Sequence, residues 1–188
     1  MKLKNIYKHF VLITRHKMLV FKLCVKAGIP LRGFMHDWSK YSPTEFFESV
    51  KYFTGTRSPI EASKEDKGYS MAWLHHRGRN KHHYEYWVDY LDKGGIPALI
   101  PYKYALEMCC DMLAAGMIYK GKTWESEYPL VYWNSKVDTV KMHEAIKIFL
   151  TKFFTLVSKY GVESINRKTT YKMYKDSLSE YEKSTRSN

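Results

Sequence analysis

The chain has 188 residues, 45% of them hydrophobic, with a formal net charge of +12 and a pI near 9.4. That length and apolar content exclude a disordered chain and give one domain with a sizeable core. The charge points to acidic partners (nucleic acid, nucleotides or other phosphates), against the plainer reading of a lysine-rich solvated face.

In chain order, residues 3–27 carry apolar groups at helical spacing, with Ile13, Val20, Leu23 and Ala27 on one face and His16 among them. Gly28-Ile29-Pro30 ends that helix. A short helix or turn over 31–39 delivers the pair His36-Asp37. Ser42-Pro43-Thr44-Glu45 is a helix start: Ser42 caps, Pro43 opens the first turn, and Glu45 completes a capping box. This helix runs to about Phe53. Residues 54–68, polar and punctuated by Gly55, Pro59 and Gly68, are expected to form a loop. Residues 69–77 are helical, and Asn80 caps a further helix to about Asp92, stopped by Gly94-Gly95. Pro101 opens a long helix to about Lys120, residues 121–137 form an aromatic-rich connection, and a helix over 139–160 ends at Gly161. A weaker, polar helical stretch covers 167–182. With no β-alternation and no Asn-Gly hairpin signal, the chain reads as all-α.

The cysteines Cys24, Cys109 and Cys110 are odd in number, two are adjacent, and no CxxC occurs. They point to a reduced, cytoplasmic setting rather than a disulfide framework. No apolar run reaches the roughly 18 residues of a membrane span. The N-terminus lacks a small-residue cleavage site and is interrupted by Arg15, His16 and Lys17, so it reads as a domain helix rather than a signal peptide.

Four places supply metal-ligating groups. A lone His16 on an apolar face is more often a satisfied core residue. His36 and Asp37 can each bind a divalent ion, and on a helix Lys40 returns to their face, where a phosphate on the ion would sit. The segment from His75 to His83 holds four histidines in nine residues, His75, His76, His82 and His83; its plain reading is a protonatable surface cluster. Asp111 faces Met108, Ala114 and Ala115 at helical spacing, and a carboxylate there needs a partner: an ion, or a Lys or Arg. Separated His, His-Asp and Asp positions on different helices are a sensible way to enclose an ion in a helical core.

The order His16, then His36-Asp37, then Asp111 resembles the HD-domain metal phosphohydrolase superfamily. His36-Asp37-x-Ser39-Lys40 is similar to its HDxGK form, with Ser39 in place of Gly. The blocks HDWSKYSPTEF, AWLHHRGRNKHHYEYW and EMCCDMLAAGMIYKG, within about residues 10–135, resemble more closely an uncharacterised family of bacteria and their phages. The resemblance implies a single HD-like helical domain over 1–188, with a metal-site core about 10–135 and a helical extension about 138–188. It implies that His16, His36, Asp37 and Asp111 hold a first ion. One of His75 or His76 and one of His82 or His83 would complete a second shell, with Asp37 able to bridge. The members of each pair of positions, 75 and 82 or 76 and 83, are seven apart, so a continuous helix would align them, but Gly78 and Asn80 interrupt it.

The expected chemistry is metal-assisted hydrolysis of a nucleotide or related phosphoester, by a phosphohydrolase or phosphodiesterase using one or two ions of Mn, Fe, Zn, Co, Ni or Mg. Asp37 and Lys40 are its catalytic candidates, Lys40 neutralising phosphoryl charge. Arg77 and Arg79, with Asn80 between the histidines, are candidates to grip the substrate's phosphates. Trp38, Tyr41, Tyr84 and Trp87 are candidates to stack on a base, although core packing is the plainer reading for Trp73 and Trp87. A metal-dependent nuclease is the second reading, motivated by the charge and the His-Asn-His run; it requires a hairpin before the helix, and no hairpin signal precedes residue 75. A non-enzymatic, metal-stabilised module binding nucleic acid or protein is the third. The expected place is the cytoplasm, a host's if the chain is phage-encoded, with no membrane partner. His143 and Glu144 read as a surface pair. The apolar face of Ile146, Ile148, Phe149, Phe153, Phe154 and Val157 serves the core or a homo-oligomer.

Overall fold

The computed structural model describes residues 3–90 and 94–186. The protein is all-α. Helix α1 (Leu3–Lys26) is followed by α2 (Pro30–Met35), α3 (Pro43–Lys51), α4 (Pro59–Lys67) and α5 (Met71–Arg79). Then come α6 (Tyr102–Lys120), α7 (Tyr128–Asn134), α8 (Glu144–Tyr160) and α9 (Arg167–Arg186). One minimal antiparallel pair, β1 (Val88–Asp89) with β2 (Ile96–Pro97), sets Val88 opposite Pro97 and Asp89 opposite Ile96. No helix among the described residues is long and apolar enough to cross a membrane.

The core is built around α6. Leu106, Cys109, Cys110 and Leu113 are fully buried on it and meet Val20, Leu23, Cys24 and Ala27 from the α1 side. Phe149, Phe153, Phe154 and Val157 of α8 join the same cluster, as does Tyr174 of α9, whose hydroxyl donates to the Ile100 carbonyl at 2.8 Å. The apolar face of α8 therefore serves the core, with Ile148 half-buried beside it. Helix α2 approaches α1 closely at Gly33: a Cβ there would lie 2.6 Å from Cys24 Cβ and 2.9 Å from Phe21 Cα. Only glycine permits that approach, and α2 carries His36 at its C-cap.

Several expected elements differ. Residues 59–67, expected as loop, form α4: Pro59 takes its first turn and Gly68, at φ +78°, its C-terminus. Both residues punctuate a chain, but here they bound a helix. Although polar overall, α4 buries Ala62 and Ser63, and the Ser63 hydroxyl donates to Glu48 at 2.8 Å. The helix expected from Asn80 to Asp92 does not form: a turn leads to a 3-10 segment, Tyr84–Trp87, and then β1. The end of that expected helix, 91–92, lies outside the described residues. Asn80 ends α5 instead of starting a helix, because its amide donates to the His76 carbonyl at 2.8 Å and to Ser39 Oγ at 2.7 Å. The aromatic connection contains α7, anchored where Trp133 Nε1 donates to Thr151 Oγ1 at 2.8 Å. Helix α8 starts at Glu144, five residues later than expected, because His143 is its N-cap and accepts from the Ala145 amide at 3.2 Å. Glu144 meets Lys147 at 2.8 Å, and its charge also acts on the His143 imidazole, whose pKa burial lowers.

Candidate metal centre

His16 projects from the buried face of α1, and Asp111 comes from the facing helix α6. His36 and Asp37 lie on the turn after α2. Asp37, at φ +55° and ψ +27°, is the one non-glycine residue with positive φ among the described residues. Aspartate tolerates this left-handed conformation better than most residues, but it still costs about 1–2 kcal/mol. The short helix or turn expected over 31–39 is a helix followed by a turn, and a 3-10 segment, Trp38–Tyr41, returns Lys40 Nζ to 2.5 Å from Asp37 Oδ2.

Asp37 faces two clusters at once. Its Oδ2 lies 3.2 Å from His36 Nε2 and 3.9 Å from His16 Nε2, while Asp111 Oδ1 stands 2.9 Å from His16 Nε2 and 3.5 Å from His36 Nε2. Its Oδ1 lies 3.3 Å from His76 Nε2 and 3.4 Å from His82 Nε2. His83 belongs to this second group. In each group one atom per residue lies within 4.8 Å of all the others. Despite these distances, His16 Nε2, His36 Nε2, His82 Nε2, His83 Nε2 and Asp37 Oδ1 are buried with no hydrogen-bond partner, while Asp37 Oδ2 is ion-paired to Lys40. Leaving so many polar atoms unpaired is costly, and a cation at each group would satisfy them together. Mixed imidazole and carboxylate donors fit a divalent transition metal.

A second layer of carboxylates orients the imidazoles. His36 Nδ1 donates to Glu107 Oε1 at 3.1 Å, and His82 Nδ1 lies 3.4 Å from the same oxygen. Arg32 Nε donates to Glu107 Oε2 at 2.7 Å. Burial raises the Glu107 carboxyl, but its hydrogen bonds to His36 and His82, the His82 charge and the Arg32 hydrogen bond outweigh it and hold it at about 2. Glu45 does the same for α5: its Oε2 meets His76 Nδ1 at 2.7 Å and its Oε1 meets His75 Nδ1 at 2.6 Å. Such partners fix the ring so that the other nitrogen faces the ion.

The charges follow from the crowding. Burial raises the Asp37 carboxyl, yet His36, Lys40 and His76 together hold it well below the usual range. Burial lowers the His36 imidazole, but Asp37, Asp111 and Glu107 raise it well above its ordinary value. Burial dominates for His16 and His83, which are both lowered.

A cavity of about 210 Å³ opens against this centre. His16, Lys40, His76 and Asp111 form its polar end, and Leu12, Ile13, Pro59, Ile60 and Ile118 form apolar walls.

The expected first-ion residues, His16, His36, Asp37 and Asp111, come together. Of the histidine pairs, His76 joins the centre whereas His75 turns to Glu45, because α5 ends at Arg79 and the seven-residue spacing has no continuous helix to act through. Both His82 and His83 face inward from the turn that follows. Arg77 and Arg79 do not line the cavity; Arg79 is exposed at the end of α5. Asn80 braces Ser39 and His76 and does not face the cavity either. Of the aromatic candidates, Trp38 is half-exposed against Phe34 under the Lys17 ammonium, and Tyr84 and Trp87 pack on the core. Glu107, Glu45 and the cavity residue His9 were not anticipated. Two of them had a signal: Glu107 is four residues before Asp111, and His9 seven before His16, each on the same helical face.

Fold and site together define an all-α protein with a buried histidine–carboxylate centre. Residues 5–156 match the Family of unknown function (DUF5662), and the chain belongs to that family. No curated protein and no solved structure matches it.

Proposed function

We propose that the protein is a metal-dependent phosphohydrolase or phosphodiesterase, of the HD type that the order His16, His36-Asp37, Asp111 resembles, acting on a nucleotide or related phosphoester. The observation that carries this reading is Asp37: its two buried carboxylate oxygens divide between two donor clusters, Oδ2 ion-paired to Lys40, next to a cavity lined by His16, Lys40, His76 and Asp111. His16, His36, Asp37 and Asp111 would hold one ion, and Asp37, His76, His82 and His83 a second. A divalent ion held there supplies a Lewis acid and a water acidic enough to ionise near neutral pH.

The chain's own groups do the rest. Lys40 stays charged, since Asp37 and Asp111 outweigh burial and raise its ammonium above its ordinary value. It takes the phosphoryl oxygens and offsets charge developing on them. Glu107 and Glu45 hold the rings of His36 and His76 in place before substrate arrives. The apolar cavity wall limits water around the ester. The net charge of +12 draws anionic substrates toward the surface. Three free buried cysteines support a reducing, cytoplasmic setting. The nuclease alternative gains nothing here: its hairpin should precede the histidine-bearing helix, and the strand pair among the described residues follows α5.

The test is elemental analysis of protein purified without chelator, followed by assays with added Mn²⁺ on mono-, cyclic and dinucleotides. One or two ions per chain are expected, with release of phosphate or nucleoside monophosphate that Asp37→Ala abolishes. His83→Ala should lower metal content, and His75→Ala should leave it unchanged. A metal-loaded protein inert across the whole panel overturns the reading.

A further inference from the structure

The cavity beside the centre carries a statement about the substrate that the centre alone does not. Its polar end offers one fixed cation, Lys40, with two carboxylates, Asp111 and Glu45, and Lys40 is ion-paired to the buried Asp37 behind it. The remaining polar groups on its wall, His9, Ser49, Ser58 and Tyr119, are neutral: burial, with the Lys40 charge second, lowers the His9 imidazole to about 4, and burial raises the Tyr119 phenol. Among the described residues no arginine lines the cavity, and Lys40 is the one lysine that does. The rest of the wall is aliphatic, from Leu12 and Ile13 of α1, Ile60 of α4, and Ala115 and Ile118 of α6.

Such a space can neutralise one phosphate at its inner end. A second or third phosphate would stand against aliphatic carbon, stripped of water with no cation to replace it, which is strongly unfavourable. An uncharged organic group meets a wall of its own kind, and each buried methylene there contributes roughly 0.8 kcal/mol. His9 adds one directional contact: its ring is buried at 5% exposure, and Nδ1 has no partner. A hydroxyl or amide of the organic group can satisfy that nitrogen.

We propose that the cavity selects phosphomonoesters of compact, uncharged, largely apolar alcohols and discriminates against di- and triphosphates, with His9 as a specificity-determining residue. This rests on the hydrolase reading above. The reaction adds water across the ester: a water oxygen bonds to phosphorus, the P–O bond to the alcohol breaks, and the leaving oxygen takes a proton. The products are inorganic phosphate and a neutral alcohol. About 210 Å³ makes the preference one of size as well as charge.

The experiment compares kcat/KM of the Mn²⁺-loaded protein for phenyl phosphate, adenosine monophosphate, adenosine triphosphate and inorganic tripolyphosphate. A parallel calorimetric titration with phosphate and tripolyphosphate reads binding without turnover. The monoesters should exceed the triphosphate at least tenfold in kcat/KM, and phosphate should bind more tightly than tripolyphosphate. Ile118→Arg, which adds a cation to the half-buried wall, should narrow both gaps. Ala115→Trp should cost phenyl phosphate at least tenfold while metal content stays unchanged, and Leu12→Trp repeats that test from α1 should Ala115→Trp fail to fold. Equal or better use of triphosphates overturns the proposal and leaves the hydrolase reading standing. So does an unchanged phenyl phosphate kcat/KM in a folded pocket-filling variant. Metal bound, with no ester cleaved, overturns both.

Discussion

Glu107 Oε1 accepts a hydrogen bond from His36 Nδ1 at 3.1 Å, with both side chains fully buried. Held ionised at about 2, this carboxylate can only accept, so Nδ1 carries the proton and Nε2 is the atom presented to the centre. Arg32 completes the relay from the cavity-distal side, at 2.7 Å from Glu107 Oε2. Glu107→Gln keeps the volume but removes the charge that fixes both His36 and His82. Carboxylates placed in this way behind ligating histidines change metal affinity by about 10–100-fold when altered. A loss of that order is expected in competition titrations against a chromophoric chelator, with the helical circular dichroism unchanged. An unaltered metal dissociation constant would separate Glu107 from the centre.

Gly33 governs where α2, and with it His36, lies against α1. Gly33→Ala forces a Cβ into Cys24 Cβ and the Phe21 backbone, neither of which is the free end of a flexible chain. Overpacking of this kind costs about 1–3 kcal/mol. The urea midpoint should fall accordingly, and metal affinity should fall with it, because α2 must move to relieve the contact. A variant with wild-type midpoint and affinity would mean that α1 and α2 part without strain.

How much of this was legible in the sequence depends on how local the cause was. The helices α1, α6 and α8 announced themselves through apolar spacing, and α6 began at its proline as read. Helix α4 did not, because its burial is carried by Ala62 and Ser63 rather than by an apolar stripe. The His16, His36, Asp37 and Asp111 grouping followed from motif order. Choosing His76 over His75 required knowing how α5 packs: Glu45 reaches both rings from α3, but it is His76 whose Nε2 lies 3.3 Å from Asp37 Oδ1, a contact 39 residues away in sequence. Glu45 itself was hidden by a correct local reading: its amide is indeed capped by Ser42, at 3.5 Å, but its carboxylate leaves the cap to serve two histidines. Arg77 and Arg79 misled because nearness in sequence to the histidines does not bring them to the cavity: α5 ends at Arg79, which is exposed there.

His9 gives a pH signature. Its ring packs against Phe46 and Phe53, at centroid distances of 5.3 and 5.5 Å, with Lys40 the charge that reinforces burial. The imidazole is lowered from 6.5 to about 4, so in the folded protein it stays neutral where the unfolded chain takes up a proton. A group whose folded value is depressed gives the fold stability that is fully present above its unfolded value and lost as pH falls toward the folded one. The window here is therefore pH 6.5 down to about 4. His9→Phe removes the proton uptake and keeps the ring among phenylalanines. Urea midpoints measured at pH 7 and pH 5, with chelator present so that ion release does not contribute, should fall less in this variant than in the parent. An equal fall in both proteins would show that His9 titrates freely in the folded state, and would remove it from the cavity wall.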